Sequence, residues 1–125
     1  MTFTIPYPKT KTAQKQFNKR FGLNSLYAGK HWAQRREDAE YIHSTVHACL
    51  MEQRIPRKMY DEPVSITFYW DDHLDCSNHA YLGKMIEDAL KGWLIEDDSR
   101  RYVKSITHRF YDSDRITVEV IPYVP

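Results

Sequence analysis

The most constraining stretch of the sequence is a strand that leads directly into two aspartates. Residues 64–70 read Val-Ser-Ile-Thr-Phe-Tyr-Trp, so apolar and polar side chains alternate without a break. Because side chains alternate between the two faces of a strand, this pattern predicts one face on a core and one polar face. Asp71 and Asp72 follow at once. We therefore expect an acidic loop at the end of the best strand in the chain.

Two segments show helical periodicity. Over residues 32–50 the apolar side chains recur three, four and seven positions apart, with charged residues on the other side. A second helix is predicted over residues 78–91, with Ser77 as its N-cap and Gly92 near its end. On the polar side of this second helix Lys84 and Asp88 are four residues apart, so they are expected to be neighbours.

The other segments complete the predicted fold. Residues 2–7 resemble an edge strand, and the basic stretch 9–20 is interpreted as a loop or a frayed helix. Strands are predicted over 102–111 and 115–123, joined by a hairpin turn at 112–114. The order β-α-β-α-β-β predicts an α+β fold in one domain spanning 1–125, with two helices packed on a mainly antiparallel or mixed sheet.

Composition limits the classes of protein to consider. A chain of 125 residues can bury about two-thirds of its unfolded surface. The two cysteines are too few for a disulfide framework, and neither a signal peptide nor an apolar run of membrane-spanning length is evident, so we expect a cytoplasmic protein. Residues 1–60 carry eleven Lys and Arg against four Asp and Glu, whereas residues 61–125 carry seven against thirteen. This asymmetry suits a protein that holds polyphosphate on one surface and a metal ion on another.

The acidic residues form two groups that bracket the second helix. Asp75 precedes the helix, and Asp97 and Asp98 follow it. Carboxylates that gather against their mutual repulsion are typical of a site for a divalent cation, and Mg²⁺ needs only one or two of them. The predicted helix is about 20 Å long at 1.5 Å per residue. The two groups can therefore meet only if the chain folds back beside residues 64–70.

The same region resembles the RusA family of Holliday junction resolvases, which are phage-associated endodeoxyribonucleases. The family pattern is Asp-x-Asp-Asn, then Lys, then Asp-Ala-Leu, then Asp-Asp before a strand. The matching residues in this chain are Asp75, Asn78, Lys84, Asp88-Ala89-Leu90 and Asp97-Asp98. The close match covers about the central quarter of the chain, and the Ile5-Pro6-Tyr7-Pro8 opening fits more loosely.

The resemblance implies a function and a set of site residues. It implies a homodimer that cuts two strands of a four-way DNA junction, in recombination or repair, with Mg²⁺ or Mn²⁺ as cofactor. It implies catalytic roles for Asp75, Lys84 and Asp98, and metal binding by Asp75, Asp97 and Asp98. Phosphate contacts are expected from Lys30, Arg35, Arg36 and Asn78. The host of such an enzyme would be a bacterium, with or without an infecting phage.

Two departures from the family pattern leave alternatives open. Ser77 stands where the second aspartate of the first motif is expected, and the extra residues 79–82 separate Asn78 from the lysine. Either another side chain replaces the missing ligand, or catalysis is weakened or lost. The candidate replacements are Asp71, Asp72 and His79, and Asp88 is a further candidate ligand.

Other functions are also consistent with parts of the sequence. A RusA-like scaffold that grips branched DNA without cutting it would use the 9–20 segment for phosphate contacts. Tyr27, His31 and Trp32 could then stack on bases, although core packing is the favoured interpretation of Trp32.

Two further classes of site have weaker support. A zinc site could combine His43, His47, Cys76 and His79. A cysteine nucleophile is disfavoured because the surroundings of Cys76 in the sequence are acidic, which does not promote thiolate formation.

Overall fold

A four-stranded mixed sheet with helices on one face forms the fold. The structure is a computed structural model, and it describes residues 1–125. The elements in chain order are β1 (Thr2–Pro6), α1 (Lys11–Phe21), α2 (Leu23–Tyr27), α3 (Trp32–Glu52), β2 (Val64–Trp70), a 3₁₀ helix (Cys76–His79), α4 (Ala80–Ala89), β3 (Val103–Phe110) and β4 (Arg115–Pro122). The predicted α+β class in one small domain is confirmed, and the predicted strands agree with the observed ones to within one residue at each end.

The strand order is β1-β4-β2-β3, which contradicts the predicted hairpin between the last two strands. β2 lies between β3 and β4 and pairs parallel to β3 and antiparallel to β4. The connection from β3 to β4 instead crosses the end of β2, where the Asp71 carboxylate accepts hydrogen bonds from the backbone N–H groups of Ser113 and Asp114, at 3.1 and 2.8 Å. A short turn therefore joins two strands that are neighbours in sequence but not in the sheet.

The parallel pairing of β2 with β3 sets the ends of the sheet. Val64 pairs with Val103 and Trp70 with Phe110, so the two strands begin at the same end. Asp71 and Asp72 follow β2 at one end, whereas the segment containing Asp97 and Asp98 leads into β3 at the other end. The chain does fold back beside residues 64–70. Because β3 runs parallel to β2, however, the segment with Asp97 and Asp98 lies at the opposite end of the sheet from the acids that follow β2.

The core lies between the sheet and the helices. In β2 every second residue from Val64 to Trp70 is almost completely buried, and the intervening side chains form a polar face. On that polar face the Ser105 hydroxyl donates to Ser65 at 2.8 Å. The alternation of the sequence thus gives one packed face and one face with hydrogen-bonded hydroxyls, as expected for a sheet covered on one side.

The basic stretch for which a loop or a frayed helix was expected forms the helix α1. Its N-cap is Thr10, whose hydroxyl accepts a hydrogen bond from the Ala13 N–H at 3.1 Å. Phe17 and Phe21 face inward, and their ring centroids are 4.7 Å apart. This apolar stripe is narrow, and the ion pair of Arg20 with Asp38 adds a second attachment to the domain, so the periodicity of the sequence alone left a loop and a frayed helix open.

α3 begins at Trp32, as predicted, and ends two residues later than predicted. Trp32 is 61% exposed, so the expectation that it packs in the core is wrong. It occupies the first turn, before the helix reaches the sheet. Asp38 is instead the first buried residue of the helix.

α4 is held close to the sheet by a glycine. The predicted cap at Ser77 is wrong, because Asp75 occupies the N-cap position of the 3₁₀ helix that precedes α4. A Cβ atom on Gly83 would lie 2.9 Å from His108 Cε1 and 3.4 Å from a ring atom of Phe68. Only glycine allows this close approach, so Gly83 fixes the position of the neighbouring Lys84. No helix in the structure combines the length and apolar character that crossing a bilayer requires.

Candidate functional site

Six charged side chains meet on the outer side of α4 and in the segment that follows it. We call them the α4 cluster, and its members are Lys84, Glu87, Asp88, Lys91, Asp97 and Asp98. Lys84 is at the centre, since its ammonium donates to Asp98 and lies 3.1 Å from Asp88 Oδ1 and 3.4 Å from Glu87 Oε1. The fold thus brings the lysine that the sequence singled out into contact with an acid from the helix and an acid from beyond it.

Lys91 forms the second positive centre of the cluster. Its Nζ lies 3.3 Å from both Asp88 Oδ1 and Asp98 Oδ2, and 3.9 Å from Asp97 Oδ1. Asp88 Oδ1 is buried between the two ammonium groups, which compensate its charge.

The electrostatics of the cluster keep its central pair charged. Partial burial favours the neutral form of Lys84, but hydrogen bonds to Asp98 and Asp88 outweigh it and raise the pKa of Lys84 well above its usual value. Hydrogen bonding from Lys84, and then from Lys91, holds the pKa of Asp98 well below its usual value. Burial favours the neutral form of Glu87 and therefore raises the pKa of its carboxyl group. The site thus combines fixed charges with one carboxyl that is easier to protonate.

The predicted metal triad is not assembled. Asp75 is exposed, and its side chain makes neither a hydrogen bond nor an ion pair, whereas Asp97 and Asp98 belong to the α4 cluster. Nowhere in residues 1–125 do three or more His, Cys, Asp or Glu side chains form a group that could hold a metal ion. What the fold offers is a pair of carboxylates, Asp88 and Asp98, that share the same two lysines.

The acids at the end of β2 have structural partners. Both carboxylate oxygens of Asp72 lie 2.8 Å from His79 Nε2, and Oδ2 also accepts from the Tyr7 hydroxyl at 3.3 Å. His79 is 1% exposed, its Nδ1 lies 2.9 Å from the Cys76 carbonyl oxygen, and its ring stacks on Trp70 with 4.3 Å between centroids. Asp72 and His79, two candidate replacement ligands, therefore hold each other in the interior.

The residues predicted to contact DNA differ in whether their side chains already have a partner in the protein. Lys30 forms an ion pair with Asp38 and donates to the Arg20 carbonyl oxygen at 2.6 Å, so its ammonium is occupied. Arg36 pairs with Glu40 at 3.2 Å in an exposed contact. Arg35 is exposed and has no ion pair in the structure.

Asn78 has a structural contact. Its Oδ1 accepts a hydrogen bond from the Asn24 N–H at 3.1 Å, in the first turn of α2. The matched asparagine of the motif therefore joins the 3₁₀ helix to α2.

The alternative zinc site is excluded by position. His47 Nε2 lies 2.8 Å from the carbonyl oxygen of Ala89, the last residue of α4. Cys76 donates its thiol to the His108 carbonyl oxygen at 3.1 Å, near the opposite end of α4. A ten-residue helix is about 15 Å long, so these groups cannot share one ion.

Two members of the α4 cluster were not predicted as site residues. Lys91 follows Lys84 by seven positions, and Glu87 follows it by three, so both spacings place the side chains near Lys84 on a helix. That spacing is a usable signal for Lys91. Glu87 could not be selected in this way, because its position also fits the buried side of the helix.

Comparison with known proteins does not add a family assignment. No protein-family model matches the chain, and no curated protein shows significant similarity to it.

Proposed function

We propose that the protein is a divalent-metal-dependent endonuclease that cuts branched DNA such as four-way junctions, and that the α4 cluster is its active site. The observation that carries this proposal is the convergence of Lys84, Asp88 and Asp98. All three belong to the motif that resembles RusA, and their side chains meet although ten residues separate Asp88 from Asp98. The resemblance and the contacts are independent kinds of support.

The carboxylates of the cluster suit Mg²⁺ or Mn²⁺. Asp88 contributes a partly exposed carboxylate, and Asp98 contributes an ionised carboxylate that contacts the same two lysines. Mg²⁺ commonly takes one or two carboxylates and completes its coordination with water and substrate phosphate. When bound, the metal would supply Lewis-acid polarisation of a phosphate and a more acidic water. In this proposal Asp88 and Asp98 hold the metal, with Asp97 next to them.

The lysines of the site have a separate task. The Lys84 side chain is 55% exposed and stays protonated because its pKa is raised, so it can present a permanent positive charge to a DNA phosphate. Lys91 neutralises the carboxylates from the other side. Both ammonium groups would lower the repulsion between a phosphodiester and the acidic site.

Three elements of the proposal rest on the resemblance alone. The first is a catalytic role for Asp75, whose exposed carboxylate lies apart from the α4 cluster. A homodimer is proposed because paired cuts require two sites, and the cytoplasm of a bacterium or of a phage-infected host is proposed as its location. Among the predicted DNA contacts, Arg35 and Arg36 are the exposed ones.

The test is cleavage of a labelled four-way junction in Mg²⁺, Mn²⁺ or EDTA, beside a linear duplex of the same sequence. We expect paired, metal-dependent nicks in the junction, and their loss in Asp98→Asn with junction binding retained. Lys84→Ala should lower turnover more than affinity. Glu96→Gln is the matched control, because Glu96 is exposed and lies two residues from Asp98 outside the cluster. Absence of nicks in either metal would contradict the proposal.

A second candidate function is junction binding without cutting. It is favoured by the lack of a group of three metal-binding side chains and by the two lysines that neutralise the carboxylates. A gel-shift measurement in EDTA establishes junction binding, and cleavage in Mg²⁺ or Mn²⁺ separates the two candidates. Specific junction binding together with no turnover in either metal would support the binding module.

A further inference from the structure

The cations of the basic half differ in whether they have partners. Arg20 and Lys30 are both paired with the buried Asp38. Lys11, Lys15 and Lys19, which we call the α1 stripe, are exposed and have no acidic partner in the structure. The segment Lys11–Phe21 contains no Asp or Glu at all. The stripe is therefore an uncompensated line of positive charge.

The geometry of the α1 stripe is fixed by the helix. Its members are four residues apart, which places them along one side of α1 at intervals of about 6 Å. The opposite side is anchored by Phe17 and Phe21 against the domain. Like charges four residues apart destabilise a helix slightly, so an anionic ligand would relieve a repulsion that the protein alone leaves in place.

Exposed aromatic rings lie just beyond the end of α1. Tyr27 is 79% exposed and Trp32 is 61% exposed, and the ring centroids of His31 and Trp32 are 5.6 Å apart. We call these three residues the aromatic platform. The other two tryptophans, Trp70 and Trp93, are buried. Trp32 is thus the one exposed tryptophan of the three.

The platform is attached firmly to α1. The Arg20 carbonyl oxygen at the end of α1 accepts hydrogen bonds from the Ser25 hydroxyl at 3.0 Å and from the Lys30 ammonium at 2.6 Å. His31 caps α3 by accepting from the Ala33 N–H at 3.1 Å. These bonds tie the segment that carries the aromatic platform to the end of α1.

We propose that this surface binds single-stranded DNA, with phosphates on the α1 stripe and unpaired bases stacked on Trp32 and Tyr27. Charge complementarity selects a polyanion, and exposed rings select a ligand with accessible base faces. In duplex DNA these faces are covered by stacking. A positive track combined with aromatic rings is how sequence-tolerant single-strand binding is generally achieved.

This inference deepens the proposed function, since it assigns the unpaired segments of a branched substrate to a surface outside the α4 cluster. The surface also approaches the first acidic motif. Gly22, three residues beyond Lys19, is adjacent to Asn78, which follows the exposed Asp75 by three residues. A strand that runs along α1 would thus be directed toward the loop containing Asp75.

Tryptophan fluorescence provides the first test, because Trp32 is the exposed tryptophan of the chain. Addition of an unlabelled 20-nucleotide single strand in EDTA should quench its emission, and a duplex of equal length should quench it much less. Trp32→Ala should weaken single-strand binding about 5- to 150-fold, the range expected for one stacked base, whereas Trp32→Phe should largely retain affinity. Tyr111→Ala is the control, because Tyr111 is 59% exposed and distant in sequence from the platform.

The salt dependence of binding tests the α1 stripe. Each lost phosphate contact lowers the slope of log affinity against log salt by about 0.7 for a single strand. Lys11→Gln/Lys15→Gln/Lys19→Gln should therefore reduce the slope by about 2. Between 50 and 200 mM salt the wild type should lose roughly 20-fold more affinity than this variant. Arg54→Gln/Lys58→Gln/Lys104→Gln removes three exposed cations elsewhere and should leave the slope nearly unchanged.

The outcomes separate this inference from the proposed function. Junction cleavage with no preference for single strands and an unchanged slope in the stripe variant would overturn the inference and leave the nuclease standing. Single-strand quenching without any cleavage would support the inference and contradict the nuclease. Self-association through the platform would also overturn the inference. Sedimentation would then show a loss of dimer in Trp32→Ala, with no change in DNA binding.

Discussion

Two clusters of lysines and carboxylates lie on the helical side of this protein, and they differ in how completely their charges are matched. In the Asp38 cluster, one buried carboxylate receives Arg20 Nε at 2.7 Å, the Lys30 ammonium and the Tyr81 hydroxyl at 2.8 Å. The α4 cluster instead combines four carboxylates with only two lysines.

The difference indicates separate roles. Asp38 connects the end of α1, the turn before α3 and the start of α4, and each of its partners comes from a different one of these segments. Such a satisfied cluster holds elements together and has no spare bonding capacity. The α4 cluster has excess negative charge at a partly exposed position, which is a property of a site that receives a cation.

The largest expected effect is on the buried cluster. Asp38→Asn removes the charge that compensates Arg20 and the nearly buried Lys30, so we expect the free energy of unfolding to fall by about 3 kcal/mol. Urea denaturation measures this change. Glu40→Gln, which breaks only the exposed pair with Arg36, should cost less than about 0.5 kcal/mol. Equal effects of the two variants would remove the distinction between the clusters.

Gly83→Ala tests the contact that positions α4. The added methyl group would lie 2.9 Å from His108 Cε1, and overpacking of this kind costs about 1–3 kcal/mol. Alanine is a better helix former than glycine by about 1 kcal/mol, so we expect a net loss of about 0–2 kcal/mol in urea denaturation. A gain in stability would show that α4 does not depend on this close approach.

Tyr81→Phe removes a single hydrogen bond from the Asp38 cluster. The carboxylate keeps Arg20 and Lys30, so we expect a loss of about 1 kcal/mol in the free energy of unfolding. The Tyr81 ring, over which the Lys30 ammonium lies at 5.2 Å, is retained. A loss as large as that of Asp38→Asn would mean that the hydroxyl, not the two cations, compensates the buried charge.

The smallest expected effect on stability comes from Asp98→Asn. The ion pairs of Asp98 involve partly exposed lysines, so we expect less than about 1 kcal/mol at neutral pH, decreasing further in 1 M salt. The pKa of Asp98 is lowered by folding, so its contribution is present above the unfolded pKa of about 3.9 and is lost as the pH falls below that value. Thermal denaturation of wild type and variant should therefore converge below pH 4.

Asp38 should follow the same sign of pH dependence with a larger amplitude. Burial alone would raise the pKa of Asp38, but hydrogen bonds from Lys30, Arg20 and Tyr81 lower it. The difference between wild type and Asp38→Asn should thus also shrink as the pH falls below 4. Unlike the Asp98 contribution, it should persist in 1 M salt, because the carboxylate is buried.

Local pattern was sufficient for most of the secondary structure. The strict alternation of residues 64–70 predicted β2 at its observed bounds, and the spacing of apolar residues predicted α3 from Trp32. For α1 the sequence left a loop and a frayed helix open, because the buried side of the helix is only one residue wide, with Ala13, Phe17 and Phe21 as the sole apolar positions. Thr10 followed by apolar residues at intervals of four was the available signal.

The candidate site was predictable in part. Helical spacing alone made Lys84 and Asp88 neighbours, and Lys91 belongs to the same stripe. That Asp98 returns to this stripe could not be read from spacing, because it depends on the path of the segment after Gly92. The contact between Asp72 and His79 could not be predicted either, because the burial of these two side chains results from packing against Trp70 and Tyr7.

The sequence by itself determined the four strands, the helices α3 and α4, and which face of each is apolar, because these properties depend on side chains a few residues apart. Tertiary structure decided the strand order, and with it the separation of Asp75 from Asp98 and the inward position of Asp38. Those outcomes depend on contacts between residues far apart in the chain. Insertion of β2 between β3 and β4 buries its apolar face most completely, and no local pattern records that preference.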